Sequence, residues 1–309
     1  MNLPQTFVEN VVAACPDKGR AWLDELPKLL HYCEERWSLT IHAPFSLSYN
    51  YVAPATTNNG KNVVIKLSLP EEGFEREALL ALNPLGRINL LDEDREKNIL
   101  LLERVMPGTP LAEVKDDEAA TYIAAFVMKN LESVKYSNLQ LPTTEDREDQ
   151  LRKLYLDSSR TTGPISRGTI KEGLEVFTYL NKKMTRPMVL HGDFHHYNIL
   201  KEGASEWTTI DPKGLIGEIE YDLIQFLLNR LPDQNRGNCI KKRVEIFEKE
   251  LHINKEKLLL WGYCHTILAA SWTVDQHTGT YDESFFGCIE IFRSLFENTY
   301  NQSIMGAVR

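Results

Sequence analysis

Apolar and polar positions follow two different periods along this chain, and the change from one to the other divides it. A helical opening around Trp22 to Arg36 gives way to Trp37, Leu39 and Ile41, which alternate with polar residues at the period of two that marks a strand. Phe45, Leu47, Tyr49 and Tyr51 continue that alternation. Asn59-Gly60 then reads as a hairpin turn, because Gly adopts positive φ freely and Asn tolerates it. The turn leads into Val63-Val64-Ile65-Lys66, an apolar strand closed by a single Lys. Glu71 to Leu82 returns to helical spacing, with Phe74, Ala78, Leu79 and Leu82 on one face and acidic residues in the first turn. Ile88 to Leu91 and Ile99 to Val105 read as two further strands joined by the charged turn Asp92 to Asn98. Pro107-Gly108-Thr109-Pro110 breaks the pattern, so a first lobe is expected over 1–106 and a second over 107–309.

Beyond that break the period is mostly helical. Asp116 or Asp117 is placed to cap a helix whose apolar face includes Tyr122, Ile123, Phe126, Val127 and Leu131. Asp146 to Leu156 and Lys171 to Lys182 read as helices, followed by short strands at Met188 to Leu190 and Trp207 to Ile210. Helices resume near Tyr221 to Arg230, Ile240 to Leu251, Lys255 to Val274 and Glu283 to Asn298. The whole reads as an α+β chain with a small antiparallel-sheet lobe and a larger, mainly helical one.

Composition narrows the function classes. With 309 residues, 42% hydrophobic and 26% charged, the chain can build two cores. A net charge of −9 argues against a nucleic-acid partner; it suits a cationic ligand, but on charge alone it is more simply the surface of a soluble protein. The five cysteines are scattered and lack C-x-x-C spacing, so neither a disulfide framework nor a zinc site is expected. No apolar run approaches a membrane span, and Met1 to Asn10 lacks a signal pattern; no membrane partner and a cytoplasmic location, with ATP to hand, are the expectation.

The chemistry concentrates in His191-Gly192-Asp193-Phe194-His195-His196-Tyr197-Asn198 and in Ile210-Asp211-Pro212-Lys213-Gly214. Phosphoryl transfer depends on positioning and electrostatics, and Asp193 is the carboxylate to orient an attacking hydroxyl and receive its proton. Asn198 and Asp211 are the candidate metal ligands, because Mg²⁺ wants hard oxygen donors and takes only a few from protein. Their order and the five-residue step from Asp193 to Asn198 are those that protein kinases use. Lys66 is the candidate phosphate clamp, with Glu77 preferred over Glu75 as its helix partner. Glu103 to Val105 lies where an interlobe hinge would offer backbone groups to an adenine ring. His191 and His195 are expected to hold the loop by hydrogen bonds rather than to bind metal.

Together these residues resemble the aminoglycoside phosphotransferase family, nearest to its streptomycin 6-kinase and hydroxyurea kinase branch. The markers are His191 through Leu200 and Ile210-Asp211-Pro212-Lys213-Gly214-Leu215-Ile216-Gly217-Glu218, continued by Glu220-Tyr221-Asp222. Ser48 through Ala55 and Leu100-Leu101-Leu102-Glu103-Arg104 add weaker matches. The resemblance implies a bilobal protein-kinase-like fold, ATP and Mg²⁺ as cofactors, and transfer of the γ-phosphate to a hydroxyl. One departure stands out: Pro44 to Ser48, where protein kinases place a Gly-rich phosphate cover, contains no Gly, so the loop is expected either to approach the phosphates less closely or to use the Ser46 and Ser48 hydroxyls instead.

The acceptor implied by the resemblance is an aminoglycoside such as streptomycin. A polycation needs carboxylates and a stacking face, and Asp222, Asp275, Asp282, Glu283 and Trp272 on the late helices are the candidates. The alternatives are a kinase of hydroxyurea or of a metabolic alcohol, and a non-catalytic pseudokinase that binds ligand.

Overall fold

The structure, a computed structural model, describes residues 3–69, 73–82, 90–131 and 139–309. These residues form two compact units, each described here by itself.

The first unit carries helices α1 (Gln5–Ala14) and α2 (Gly19–Trp37) with strands β1 (Leu39–Ile41), β2 (Tyr51–Thr57) and β3 (Asn62–Leu67), and later β4 (Leu90–Asp94) and β5 (Ile99–Glu103). The sheet is antiparallel in the order β1-β2-β3-β5-β4. The Asn59-Gly60 turn sets the β2–β3 register, Thr56 opposite Asn62 and Val52 opposite Lys66. Alternation along β3 turns Val63, Ile65 and Leu67 into the core formed with Phe7, Val11 and Leu26 of the helices. Lys66 therefore belongs to the opposite face, where it too is buried.

Two strand expectations change. The alternation at Phe45, Leu47 and Tyr49 is not a strand; residues 42–50 form a loop in which Phe45 and Tyr49 are exposed. Pro44 interrupts the ladder there, since proline has no N–H to donate. Asp92 through Asp94 continue β4 past a bulge, so the turn narrows to residues 95–98. Ile88 and Glu71, the expected starts of a strand and a helix, lie outside the described residues.

The second unit opens with α3 (Glu75–Ala81), which packs on the later strand β7, and continues from Thr109. Its elements are β6 (Pro107–Pro110, which straddles the division), α4 (Asp117–Lys129), α5 (Thr144–Leu156), α6 (Arg167–Lys182), β7 (Met188–Leu190), β8 (Ile199–Glu202, whose last residue falls in the first unit), β9 (Glu206–Thr209) and β10 (Leu215–Gly217). Then follow α7 (Ile219–Asp222), α8 (Ile224–Leu228), α9 (Arg236–Leu251), α10 (Lys255–Trp272), α11 (Glu283–Tyr300) and α12 (Ile304–Ala307). Strands β7 and β10 pair antiparallel, and β6, β8 and β9 make a separate small sheet.

Helix α10 is apolar all round and is the axis of this unit: every residue from Leu258 to Ala270 is buried. Trp261 meets Phe177 at 5.6 Å and Tyr221 at 5.0 Å between ring centroids. Each fully buried ring of this kind contributes about 1.5–3 kcal/mol. Asp116 caps α4 as expected, but Tyr122 and Phe126 point to solvent (Phe126 is 61% exposed). Val127 is buried as expected, and the rest of the buried stripe is Ala120, Thr121, Ala124, Ala125 and Met128, whose alanines admit close packing against α9. The expected helix from Tyr221 to Arg230 is two short ones, α7 and α8. All five cysteines are free. Among the described residues no helix is long and apolar enough to cross a membrane.

Two helical glycines separate packing from propensity. A Cβ on Gly262 of α10 would lie 2.2 Å from the Phe292 ring of α11, whereas one on Gly287 of α11 would meet nothing within 4 Å. Gly262→Ala should therefore destabilise by about 1–3 kcal/mol through overpacking, and Gly287→Ala should stabilise by up to about 1 kcal/mol through helix propensity. Urea unfolding of the two variants checks the opposite signs.

Candidate active site

The pairing of β7 with β10 brings the two motif loops together. Leu190 lies opposite Leu215, so the loop leaving β7 and the loop entering β10 start side by side. The amides of Lys213 and Gly214 both donate to the His191 carbonyl, at 2.8 and 3.1 Å. Gly192 (φ +76°) and Gly214 (φ +74°) turn back where they meet. A Cβ on Gly214 would press to 2.8 Å from the Cβ of Ala78 on α3, so both conformation and space require glycine there.

His191 is fully buried and locks the crossing. Its Nε2 lies 2.9 Å from the Ile210 carbonyl, which can only accept, so Nε2 carries the hydrogen and Nδ1 accepts from the Asp193 amide at 3.3 Å. Burial pushes its pKa down to about 4, against the pull of the Asp211 charge, so the ring is neutral and keeps that tautomer. One imidazole thus ties the backbone before Asp211 to the backbone of Asp193.

The three motif residues are gathered within this frame. Asn198 Nδ2 donates to the Asp193 main-chain oxygen at 3.0 Å and to Asp193 Oδ2 at 3.1 Å. Ile210 donates its amide to the Asn198 carbonyl at 2.9 Å, which fixes Asn198 beside the approach to Asp211. His195 Nε2 lies 3.4 Å from Asp193 Oδ1. Asp211 sits in the left-handed region at φ +58°, a conformation that Asp tolerates better than most residues, and its carboxylate meets Lys213 Nζ at 3.1 and 3.2 Å. Asn198 is buried, and the amide orientation that serves Asp193 leaves its Oδ1 as a hard oxygen donor. Among the described residues no cluster of three or more His, Cys, Asp or Glu forms a metal site. An Asn oxygen and one carboxylate are instead the sparse donor set that suits Mg²⁺, which keeps water and phosphate oxygens for its remaining positions.

Asp193 opens onto a cavity of about 250 Å³ that lies entirely within the second unit. Its wall includes Arg147 of α5, Lys213, Tyr221 and Asp222 of α7, Gln225 of α8, and His265 and Trp272 of α10. Of the five residues expected to meet a cationic substrate, Asp222 and Trp272 are on this wall; Asp275, Asp282 and Glu283 are not. Asp275 is fixed by the amides of His277 and Thr278 at 2.8 and 2.7 Å. Asp282 is the N-cap of α11, accepting from Ser284, and Glu283 is an exposed residue of that helix's first turn. Arg147, Gln225 and His265 had no sequence signal of their own, because their convergence depends on how three helices pack.

Asp222 itself is consumed by the protein. Its Oδ2 accepts from the His191 amide at 2.7 Å and its Oδ1 from the Gly192 amide at 2.8 Å, so the carboxylate clamps the start of the Asp193 loop. Burial raises its pKa to about 7 against the two amides, which lower it, and the nearby Asp193 charge adds to the rise.

In the first unit, Ser46 and Ser48 are exposed on the loop between β1 and β2, and the Ser48 carbonyl accepts from Asn10 at 3.2 Å. Glu103 ends β5 and pairs with Lys61 at 3.1 Å, and Val105 follows it half-buried. Glu77 lies on α3 in the second unit, 3.5 Å from Arg76.

Because the folded state holds Asp222 protonated to higher pH than the unfolded chain does, the stability it confers is complete below about pH 4 and declines as pH rises to about 7. Asp222→Asn should lose one amide hydrogen bond, destabilising by about 1–3 kcal/mol, and should lack that decline. Urea unfolding across this range tests it; an unchanged slope would remove Asp222 as its source.

Known proteins resemble this chain over most of its length. Streptomycin 6-kinase of Streptomyces glaucescens is 26% identical over 289 residues, covering 91% of this chain and 94% of that protein. Hydroxyurea phosphotransferase of Kitasatospora aureofaciens is 24% identical over 280 residues, covering 89% and 81%. Among solved structures, a thermostable mutant of aminoglycoside phosphotransferase APH(4)-Ia in ternary complex with ADP and hygromycin B shares the fold at a TM-score of 0.59 and 12% identity, over 86% of this chain and 98% of that one. Residues 36–277 match the family of aminoglycoside/hydroxyurea antibiotic resistance kinases, and the chain, with its protein-kinase-like fold, belongs to that family.

Proposed function

We propose that this kinase transfers the γ-phosphate of ATP, with Mg²⁺, to a hydroxyl of a small molecule seated in the cavity at Asp193. The observation that carries the reading is the Asp193 carboxylate itself: held by Asn198 and His195, yet still 26% exposed and facing the cavity. That is the placement of a group that orients a substrate hydroxyl and takes its proton as the oxygen attacks phosphorus.

Asn198 and Asp211 would hold Mg²⁺, which when bound neutralises phosphate charge. Lys213, already beside Asp211, adds a positive charge at the cavity wall. Lys66 would hold the α- and β-phosphates with Glu77 as its partner, the backbone from Glu103 to Val105 would meet the adenine, and the Ser46 and Ser48 hydroxyls would stand in for a glycine-rich cover. ADP in the APH(4)-Ia complex supports an adenine nucleotide. The names of the relatives put streptomycin and hydroxyurea first among the acceptors to try.

Coupled ADP release with Mg²⁺-ATP across streptomycin, other aminoglycosides, hydroxyurea and simple hydroxylated metabolites tests the reading. Acceptor-dependent turnover is expected, and Asp193→Ala should lower kcat about 10²-fold or more while nucleotide binding persists. Asp211→Ala should weaken Mg²⁺-ATP affinity as well as turnover, read by calorimetry. Wild-type turnover in Asp193→Ala, or unchanged Mg²⁺-ATP affinity in Asp211→Ala, would remove that residue from the mechanism.

A further inference from the structure

The cavity beside Asp193 is furnished with hydrogen-bond donors, and its carboxylates are already engaged. Both oxygens of Asp222 accept from the backbone, and Asp193 is the residue that faces the reacting hydroxyl. The same wall carries Arg147, whose guanidinium carbon lies 5.8 Å from the centre of the Trp272 ring. Among the described residues its one hydrogen bond is a long one to Gln150, 3.5 Å, and it forms no ion pair with a carboxylate. The aromatic face that a substrate cation would use is thus shared with a protein cation, and a second cation there would meet like charge.

The hydrogen-bond network behind Arg147 adds to this polarity. Gln225 Nε2 lies 3.4 Å from His265 Nε2 and, as an amide nitrogen, can only donate; the His265 hydrogen is therefore on Nδ1, 2.7 Å from Tyr221 Oη, which accepts it. Tyr221 keeps its own hydroxyl hydrogen to donate. His265, desolvated and close to Arg147, stays neutral and adds no charge of its own. The volume of about 250 Å³, as bounded by the described residues, is also below the ~300–1,000 Å³ of sites for drug-sized ligands.

We propose that Arg147, lying on Trp272, is a specificity-determining residue that binds a carbonyl-type oxygen, carboxylate or urea-like, on a small hydroxylated acceptor, and that the cavity disfavours polycationic acceptors. A guanidinium offers a planar fork of N–H donors that matches such oxygens, and stacking on Trp272 holds the fork in place. The inference rests on the phosphotransferase reading above and narrows its acceptor.

The test compares the wild type with Arg147→Glu and Arg147→Lys on three probes: hydroxyurea (neutral carbonyl), glycolate (carboxylate) and streptomycin (polycation). Expected is a higher kcat/KM for hydroxyurea or glycolate than for streptomycin in the wild type. Arg147→Glu should raise KM for that probe about tenfold or more, with the effect on KM rather than kcat, and should lower KM for streptomycin; Arg147→Lys should fall between. Preferential turnover of streptomycin by the wild type, or a KM unmoved by charge reversal, overturns the inference while leaving the kinase reading intact. Should no probe be turned over, the kinase reading is in question and equilibrium binding decides the inference, followed by tryptophan fluorescence with Trp272→Phe as reference. Binding of hydroxyurea or glycolate that Arg147→Glu abolishes supports it; tighter binding of streptomycin, or binding of no probe, overturns it.

Discussion

The site depends on one buried carboxylate. Asp222 receives the amides of His191 and Gly192, and the crossing of the two motif loops starts from the backbone that it holds. The His191 carbonyl takes the amides of Lys213 and Gly214, the His191 ring joins Ile210 to Asp193, and Asn198 closes the circuit through its side chain. Burying a charged group is costly unless it is hydrogen-bonded, and two short amide contacts on one carboxylate offset that cost only in this loop geometry. The same requirement that keeps Asp222 satisfied therefore keeps Asp193 aimed at the cavity.

Local and regional features of this arrangement were legible in the sequence to different degrees. The motif strings carried Asp193, Asn198 and Asp211 because their spacing along one loop and one hairpin sets their proximity, and strand pairing does the rest. The Asn59-Gly60 turn fixed the register that buries Lys66. Exposed aromatics misled: Phe45 and Tyr49 kept a strand's period on a loop, and Tyr122 and Phe126 drew attention away from the alanine stripe that packs α4. Asp275 and Asp282 were acidic near the end of the late helices, but each completes a local turn or cap, a use that spacing alone does not separate from ligand binding. Arg147 gave no signal, since its meaning lies in a Trp272 that is far away in sequence and adjacent in space.

Global and local charge point in different directions. The chain carries a net charge of −9, which on its own suits a cationic partner. On the cavity wall, however, Lys213 is paired with Asp211 and Asp222 is spent on the backbone, while Arg147 has no carboxylate partner among the described residues and stands with the partly exposed Asp193 carboxylate. Under the proposed reading, the loops around Asp193 would serve phosphoryl transfer and the helix-borne wall the choice of acceptor. Such a division lets one catalytic frame serve different small molecules through changes on α5 and α10.

The most direct test of the account follows phosphorus itself. Phosphorus NMR of Mg²⁺-ATP with the enzyme and each acceptor distinguishes transfer to a hydroxyl from hydrolysis or inactivity. The account predicts a new phosphate-ester resonance that grows in step with ADP, and none with Asp193→Ala. Accumulation of inorganic phosphate alone, or ester formation undiminished in Asp193→Ala, would contradict it.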